Sequence, residues 1–407
     1  MIAVHERLDL LEPLRARSGL DRLSFRLGVL LGQPPLIDAT LRLFSAGILP
    51  PQARQRFLFA GTDPDDLAAT LRAIRSLADW SRAWDAEGHR QEALARGAEA
   101  AGAGGPRGAA LHWRRAALAY HFAQAVADDE RTPFTALTAA KLAAFAHAAP
   151  ALAPPAEPVT LPWPTAPLPG YLRRPAGATA PCPLVVFFNG AGIVKEEMTL
   201  WSEPFLARGL ATLAFDGPGC GELRGRLVTD CGQEDITTAI LGWAAGRPGL
   251  DAARVALLGV SFGGALVIHH AACNPAVAAC VSVTPPFHPP PYADRVHPFV
   301  MAEICALCGA EPEELLARTQ DLSCLPFVDR VRCPALVIGA GLDTILPPTE
   351  ARRLHAALPG EKLLLWLRRA THIGLSHVPI WTDAAAEWLA ARLAEVGNEK
   401  WEMRNEK

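Results

Sequence analysis

No stretch of this chain supplies the roughly 18 uninterrupted apolar residues that a membrane-spanning helix requires. The start, Met1-Ile2-Ala3-Val4-His5-Glu6-Arg7, brings charge at once and lacks the apolar core of a secretory leader. An excess of one charge is also missing: 39 Lys and Arg face 42 Asp and Glu, a net −3 at neutral pH. That balance removes the electrostatic case for nucleic acid or an anionic membrane surface as a partner. Cysteine is sparse and odd in number. Its nine copies are scattered through apolar runs such as Ala279-Cys280-Val281, the pattern of reduced core thiols in a cytoplasmic protein. Cys305-Ala306-Leu307-Cys308 has the spacing of a metal-binding or redox pair, but neither a second pair nor a nearby histidine completes it. A buried helix is the simpler account, and no metal is expected there. No fixed-period repeat marks a solenoid. Gly217 and Gly219 lack the Gly-Lys-Ser/Thr ending of a phosphate loop, so no nucleotide or other cofactor is expected.

What is present is an ordinary globular composition, half apolar and one-fifth charged, in 407 residues, enough for one large domain and a smaller one. Residues 1–150 read as helical. Asp66 to Ile74 places apolar residues three and four apart, and β-branched clusters are absent. Trp80, Trp84, Trp113, Tyr120 and Phe122 fall in or beside these patterns, where helix–helix packing is the plainest role for them. Prolines crowd residues 150–169 and favour extended chain, which places a domain boundary there. From 151 to 397 the texture is strand alternating with helix. Short apolar runs at Leu184–Phe188, Ala211–Phe215, Val255–Val260, Ala279–Val283, Ala335–Ile338 and Leu363–Leu367 suit strands buried on both faces. The implied class is α/β, a mostly parallel sheet covered by helices on both sides. Residues 285–324 interrupt the alternation with a proline-rich opening and a helix expected over about 302–319. An insertion at that point suits a lid over the sheet. Residues 398–407 read as a polar tail.

The motif that carries chemistry is Gly259-Val260-Ser261-Phe262-Gly263, which fits G-x-S-x-G. It lies between the strand Val255-Ala256-Leu257-Leu258 and the helix Ala265-Leu266-Val267-Ile268, the setting of a nucleophile elbow. A serine on a sharp strand-to-helix turn needs small neighbours, and Gly259 and Gly263 provide them. Serine is a weak nucleophile until a base takes its proton, and that base needs an orienting acid. Asp343 follows the strand Ala335–Ile338 and is the candidate acid; Asp321 and Glu350 lack this strand-end setting. His372 follows the strand Leu363–Leu367 and is the candidate base, favoured by position over His377. His269 and His270 sit two turns into the helix after Ser261 and point away from the reacting end.

The oxyanion of an acyl-transfer intermediate needs two backbone donors. Phe262 offers one, and Ala191, in the loop Asn189-Gly190-Ala191-Gly192, is the choice for the other. Lys195-Glu196-Glu197 opens the next helix, where acidic residues complement the helix dipole; a substrate-facing role for Glu196 and Glu197 is the sharper alternative. Should the leaving group be a carbanion, a further proton donor is needed, and Glu196, Glu197, His288 and Tyr292 are the candidates.

With Asn189-Gly190, Lys195-Glu196-Glu197, Asp216-Gly217-Pro218-Gly219, Gly221-Glu222, Gly259 to Gly264, Asp343 and His372 behind an N-terminal helical domain, the chain resembles one branch of the α/β-hydrolase superfamily. That branch contains 2,6-dihydroxypseudooxynicotine hydrolase, fungal polyketide-shortening hydrolases and fermentation–respiration switch esterases. Trp84 and the segment Arg115 to His121 resemble its helical-domain motifs. Asn189 stands where glycine is common, and Ile373-Gly374 replaces the small or cysteine-containing sequence after the last histidine. The resemblance implies the α/β-hydrolase fold and a serine hydrolase working through an acyl-enzyme. Its small-molecule carbonyl substrate would be bulky, partly aromatic or polyketide-like, and the bond broken either an ester or a carbon–carbon bond beside a ketone. It also implies a homodimer. An acyltransferase using the same three residues, and a binding protein on a hydrolase scaffold, are the alternatives.

Overall fold

The computed structural model describes residues 33–49, 51–102, 105–125, 134–230 and 233–405. The charged N-terminal residues 1–7 and the last two residues of the polar segment lie outside the described residues. The chain divides into two compact units between Glu157 and Pro158, inside the proline-rich stretch.

The first unit is helical because its sequence starts and stops helices clearly. Its described helices are α1 (Pro34–Phe44), α2 (Pro51–Phe59), α3 (Pro64–Ala73), α4 (Ala78–Ala101), α5 (Gly105–Ala123) and α6 (Phe134–Ala148). Pro64 opens α3 behind Asp63, whose side chain accepts from the Asp65 N–H. Gly102 ends α4 in the left-handed conformation that glycine adopts without strain. The helices pack on an aromatic cluster: Phe57 stacks on Trp84 at 4.9 Å and meets Phe122 edge-on at 4.8 Å. Trp84, Tyr120 and Phe122 are fully buried, and the Trp80 indole N–H donates to Phe122 O at 2.8 Å.

The second unit holds an eight-stranded sheet in the order β1-β2-β4-β3-β5-β6-β7-β8. Its strands are β1 (Glu157–Leu161), β2 (Leu168–Arg173), β3 (Cys182–Phe188), β4 (Ala211–Phe215), β5 (Leu250–Val260), β6 (Ala279–Val283), β7 (Ala335–Ala340) and β8 (Lys362–Leu367). β2 pairs antiparallel with β4, and every pair from β4 through β3, β5, β6 and β7 to β8 is parallel. The apolar runs are buried on both faces: Leu184, Val186, Leu257, Cys280 and Val337 pack into one core on one side of the sheet, and Val185, Phe187, Leu258, Val281 and Ile338 are buried on the other. Those helices are α7 (Lys195–Thr199), α8 (Glu203–Leu206), α9 (Asp235–Ala245), α10 (Phe262–Cys273), α11 (Pro298–Cys308), α12 (Pro312–Ala317), α13 (Thr349–Ala357) and α14 (Val378–Asn405). This is the α/β-hydrolase fold.

Two segments differ from expectation. The helix expected over 302–319 is two helices, α11 and α12, because Gly309 turns left-handed (φ 60) and Pro312 starts a new helix. The polar residues from 398 to 405 continue α14. No described helix is long and apolar enough to cross a membrane.

His269 and His270 lie buried in α10, and His270 Nδ1 sits 2.6 Å from Thr237 Oγ1. Burial pushes His270 down to about 3 and His269 down to about 4. Both stay neutral in the fold while the unfolded chain takes up protons below about pH 6.5. Stability is therefore full above that pH and falls as pH drops below it. About 1–2 kcal/mol per imidazole should be lost by pH 5. Urea midpoints between pH 7 and pH 5 measure this slope, and His270→Gln should flatten it.

Candidate active site

The fold brings the C-terminal ends of β5, β7 and β8 together, and each delivers one side chain. Ser261 occupies the turn from β5 into α10 with φ 53 and ψ −121, a backbone that non-glycine residues avoid. Sequence dictates that the turn can close. A β-carbon at Gly259 would overlap the Gly263 carbonyl, and one at Gly263 would overlap the carbonyls of Phe188 and Asn189. The turn is pinned by Ser261 N–H to Val283 O at 2.8 Å.

Asp343, in the loop after β7, is buried. Its Oδ1 accepts from the N–H groups of Ile345 and Leu346, both at 2.9 Å. That leaves Oδ2 for His372 Nδ1, at 2.7 Å. His372 Nε2 lies 2.8 Å from Ser261 Oγ. With Nδ1–H donating to the carboxylate, Nε2 is the lone-pair nitrogen facing the serine hydroxyl. The His372 loop is tied down by Ile373 N–H donating to Thr284 Oγ1 at 3.1 Å; Ile373 (φ 60) and Gly374 (φ 63) are both left-handed. His377 faces Ser376 at 2.8 Å and takes no part in this chain of contacts.

The loop after β3 packs against the elbow so closely that a β-carbon at Gly190 would stand 2.9 Å from Val260 O and 3.2 Å from Ser261 Cβ. Ala191 and Phe262 line the same cavity as Ser261. The cavity holds about 630 Å³ of space free of atoms, part of it open to solvent. Its wall is apolar, built largely from Pro286, Pro289 and the inserted segment 285–324.

The four further candidates part company here. Tyr292 lines the cavity, and its hydroxyl donates to Glu350 Oε2 at 3.2 Å. Burial and the neighbouring Glu350 carboxylate raise the Tyr292 phenol well above its ordinary range. His288 does not line the cavity; its N–H donates to Glu350 at 2.7 Å and its ring contacts Ser323 at 2.8 Å. Glu196 and Glu197 are buried in α7 and do not line it either.

Glu196 belongs to an ionic cluster that the spacing of residues does not reveal. Lys195 Nζ meets Glu196 Oε1 at 2.7 Å, Asp216 Oδ2 at 3.0 Å and Glu222 Oε1 at 3.0 Å. Asp216 also accepts the Lys195 N–H at 2.9 Å and the Glu222 N–H at 3.2 Å. Burial alone would lower the Lys195 ammonium, but the carboxylates of Asp216, Glu196 and Glu222 outweigh it and hold it well above its ordinary range. The cluster fastens the start of α7 to the loop after β4. Lys195-Glu196-Glu197 and Asp216-Gly217-Pro218-Gly219 were each conspicuous in the sequence; the hint of their pairing is that each motif follows a strand that the parallel sheet places next to the other.

Comparison with known proteins agrees with this architecture. Residues 59–290 match the model of the FrsA-like esterase family. The chain belongs to that family. Its family and its fold agree: it is an α/β-hydrolase. As an FrsA-like chain, it is 37% identical over 169 residues to 2,6-dihydropseudooxynicotine hydrolase of Paenarthrobacter nicotinovorans, covering 41% of this chain and 45% of the relative. It is 31% identical over 248 residues to the 20-hydroxy-prefusarin hydrolase FUS2 of Gibberella moniliformis, covering 56% of this chain and 57% of the relative. The matched stretch thus spans about half the length of these curated relatives. The crystal structure of 2,6-dihydroxy-pseudo-oxynicotine hydrolase superimposes with a TM-score of 0.74 at 26% identity, covering 83% of this chain and 95% of that one. The family match ends before Asp343 and His372, which are placed beside Ser261 by geometry alone.

The packing at the elbow yields a stability test. Gly263→Ala should cost about 3 kcal/mol or more, since carbonyls of the β3 strand end cannot retreat. Gly242→Ala, in α9 with open space around it, should be neutral or slightly stabilising. Denaturant midpoints of the two variants compare them directly.

Proposed function

We propose that this FrsA-like chain hydrolyses a carbonyl substrate through an acyl-enzyme on Ser261, with His372 as base and Asp343 as the acid that orients it. The observation that carries this reading is the continuous chain from Asp343 Oδ2 to His372 Nδ1 at 2.7 Å and from His372 Nε2 to Ser261 Oγ at 2.8 Å. Ser261 Oγ attacks the carbonyl carbon as its proton passes to His372 Nε2. Negative charge gathers on the carbonyl oxygen, where the N–H groups of Ala191 and Phe262 receive it. His372 then gives its proton to the leaving atom as the bond breaks. Water repeats the sequence: it loses a proton to His372, attacks the acyl carbon, and Ser261 regains the proton.

Ester hydrolysis is the reading the geometry supports better. An alkoxide leaving group needs only the His372 proton. A carbanion needs more help, and the groups weighed for that task are poorly placed. Glu196, Glu197 and His288 stand outside the cavity lining, and the Tyr292 hydroxyl is already given to Glu350. Carbon–carbon cleavage beside a ketone is the alternative that the resemblance implies, and an acyl transfer to an alcohol or amine uses the same intermediate. A small-molecule carbonyl compound that is bulky and partly aromatic or polyketide-like is the proposed substrate on either reading. A cytoplasmic homodimer accompanies the proposal; the eight cysteines among the described residues are all free, which suits a reducing compartment.

Ser261→Ala should abolish labelling by a fluorophosphonate and lower kcat by about 10⁴-fold or more, with the fold retained. Asp343→Asn should cost about 10³–10⁴-fold in kcat by freeing the imidazole tautomer. Hydrolysis of nitrophenyl esters with no action on an aryl 1,3-diketone is the expected outcome, read as kcat/KM. The reverse preference would assign the carbon–carbon reaction. An unlabelled wild-type Ser261 would remove the nucleophile assignment.

A further inference from the structure

The cavity at Ser261 is chemically one-sided. Val296, Val300, Met301 and Ile304 of the inserted segment form its wall together with Leu315 and Leu322. The other hydroxyls that reach it are engaged: Thr319 Oγ1 donates to Leu316 O at 3.0 Å, and Tyr292 OH donates to Glu350 at 3.2 Å. Among the described residues lining it, none carries a charge. An ionised group entering would give up its water without compensation, whereas a hydrocarbon is favoured by each methylene it buries.

The direction of proton transfer orients the guest. His372 hands its proton to the leaving atom, so the leaving group belongs on the His372 side. The cavity is lined by Ser261 together with Ala191 and Phe262, the two residues assigned to the oxyanion, and not by His372. The substituent on the acyl carbon is then the part that lies within it. We propose that this cavity is an acyl pocket for a neutral, apolar acyl group of several carbons, and that it rejects an acyl group bearing a free carboxylate or ammonium. The inference rests on Ser261 as the nucleophile and names the class of acid that the reaction releases.

Phosphonylation of Ser261 tests the pocket without requiring the natural leaving group. Three fluorophosphonates that differ only in a methyl, hexyl or 5-carboxypentyl group on phosphorus would be compared by labelling rate near pH 7.5. The hexyl reagent should label about tenfold or more faster than the methyl reagent, and the 5-carboxypentyl reagent about 100-fold slower than the hexyl. Ile304→Trp, which fills the cavity, should bring the hexyl rate toward the methyl rate. The hexyl-to-methyl ratio carries the test, and labelling of Ile304→Trp by the methyl reagent, at whatever rate, shows that the elbow is still formed. A carboxypentyl rate close to the hexyl rate overturns the acyl-pocket assignment, as does an equal loss of both alkyl rates in Ile304→Trp. Failure of all three reagents to label Ser261 overturns the nucleophile assignment instead, and the pocket falls with it.

Discussion

The strained turn at Ser261 is the constraint around which this unit is arranged. A serine at φ 53 is held there only because the surrounding backbone leaves it no alternative. Val260 ends a strand buried between β3 and β6, Ser261 N–H is bonded to Val283 O, and α10 begins at the next residue. Gly259 and Gly263 let the two arms of the turn touch, and Gly190 lets the loop after β3 rest on the outside of it. The parallel sheet provides the rigid frame, since its central strands are buried on both faces and cannot shift singly. The strain is thereby offset by packing spread over three strands and one helix. The result is a hydroxyl projected at the carboxyl edge of the sheet, where loops from β3, β7 and β8 can reach it.

Two of those loops carry strain or tethers of their own. Asp343 is fixed by two backbone N–H groups before it meets His372, so its carboxylate arrives with one oxygen already oriented. The histidine loop passes through two left-handed residues, one of them the β-branched Ile373, and is anchored across to Thr284 after β6. Thr284 has a positive φ as well, 43. Strained residues therefore gather at the ends of neighbouring strands, beside the chain of three hydrogen-bonding side chains. Their cost is tolerable because each is bonded into the sheet edge rather than exposed in a free loop.

Much of this was legible in the sequence because the signals are local. The G-x-S-x-G motif, the apolar runs of strand length, and Asp343 and His372 just past two strand ends are each read from residues close together in the chain. The break between α11 and α12 was also local, written in Gly309 and Pro312, but a continuous helical pattern on both sides masked it. What the sequence could not reveal depends on contacts across many residues. Lys195 and Asp216 are brought together by the parallel pairing of β3 with β4, and no periodicity points to that meeting. The fate of Glu196 followed from the same event, since a glutamate beside a buried lysine is drawn to it rather than to a cavity. Tyr292 was a candidate by position alone; only packing shows its hydroxyl turned to Glu350.

The buried ionic cluster and the apolar cavity make sense as neighbours. Lys195, Glu196 and Asp216 are buried while Glu222 stays partly exposed; moving charged groups out of water is expensive, and buried ion pairs often stabilise less than well-packed hydrocarbon would. Their geometry is specific, however, whereas hydrocarbon contacts are not directional. One lysine held by three carboxylates, one of which also accepts two backbone N–H groups, fixes the register between the start of α7 and the loop after β4. Gly221 is part of the same constraint, because a β-carbon there would overlap the Asp216 carboxylate. The loop carrying Ala191 runs between β3 and this anchored helix and so has both ends fixed. An oxyanion donor must be placed before the reaction begins if it is to favour the transition state over bulk water. Directional contacts serve that loop, while the cavity beside it needs only shape and freedom from charge. The buried polarity thus lies behind the loop that carries Ala191 and is kept out of the apolar cavity lined by Ser261.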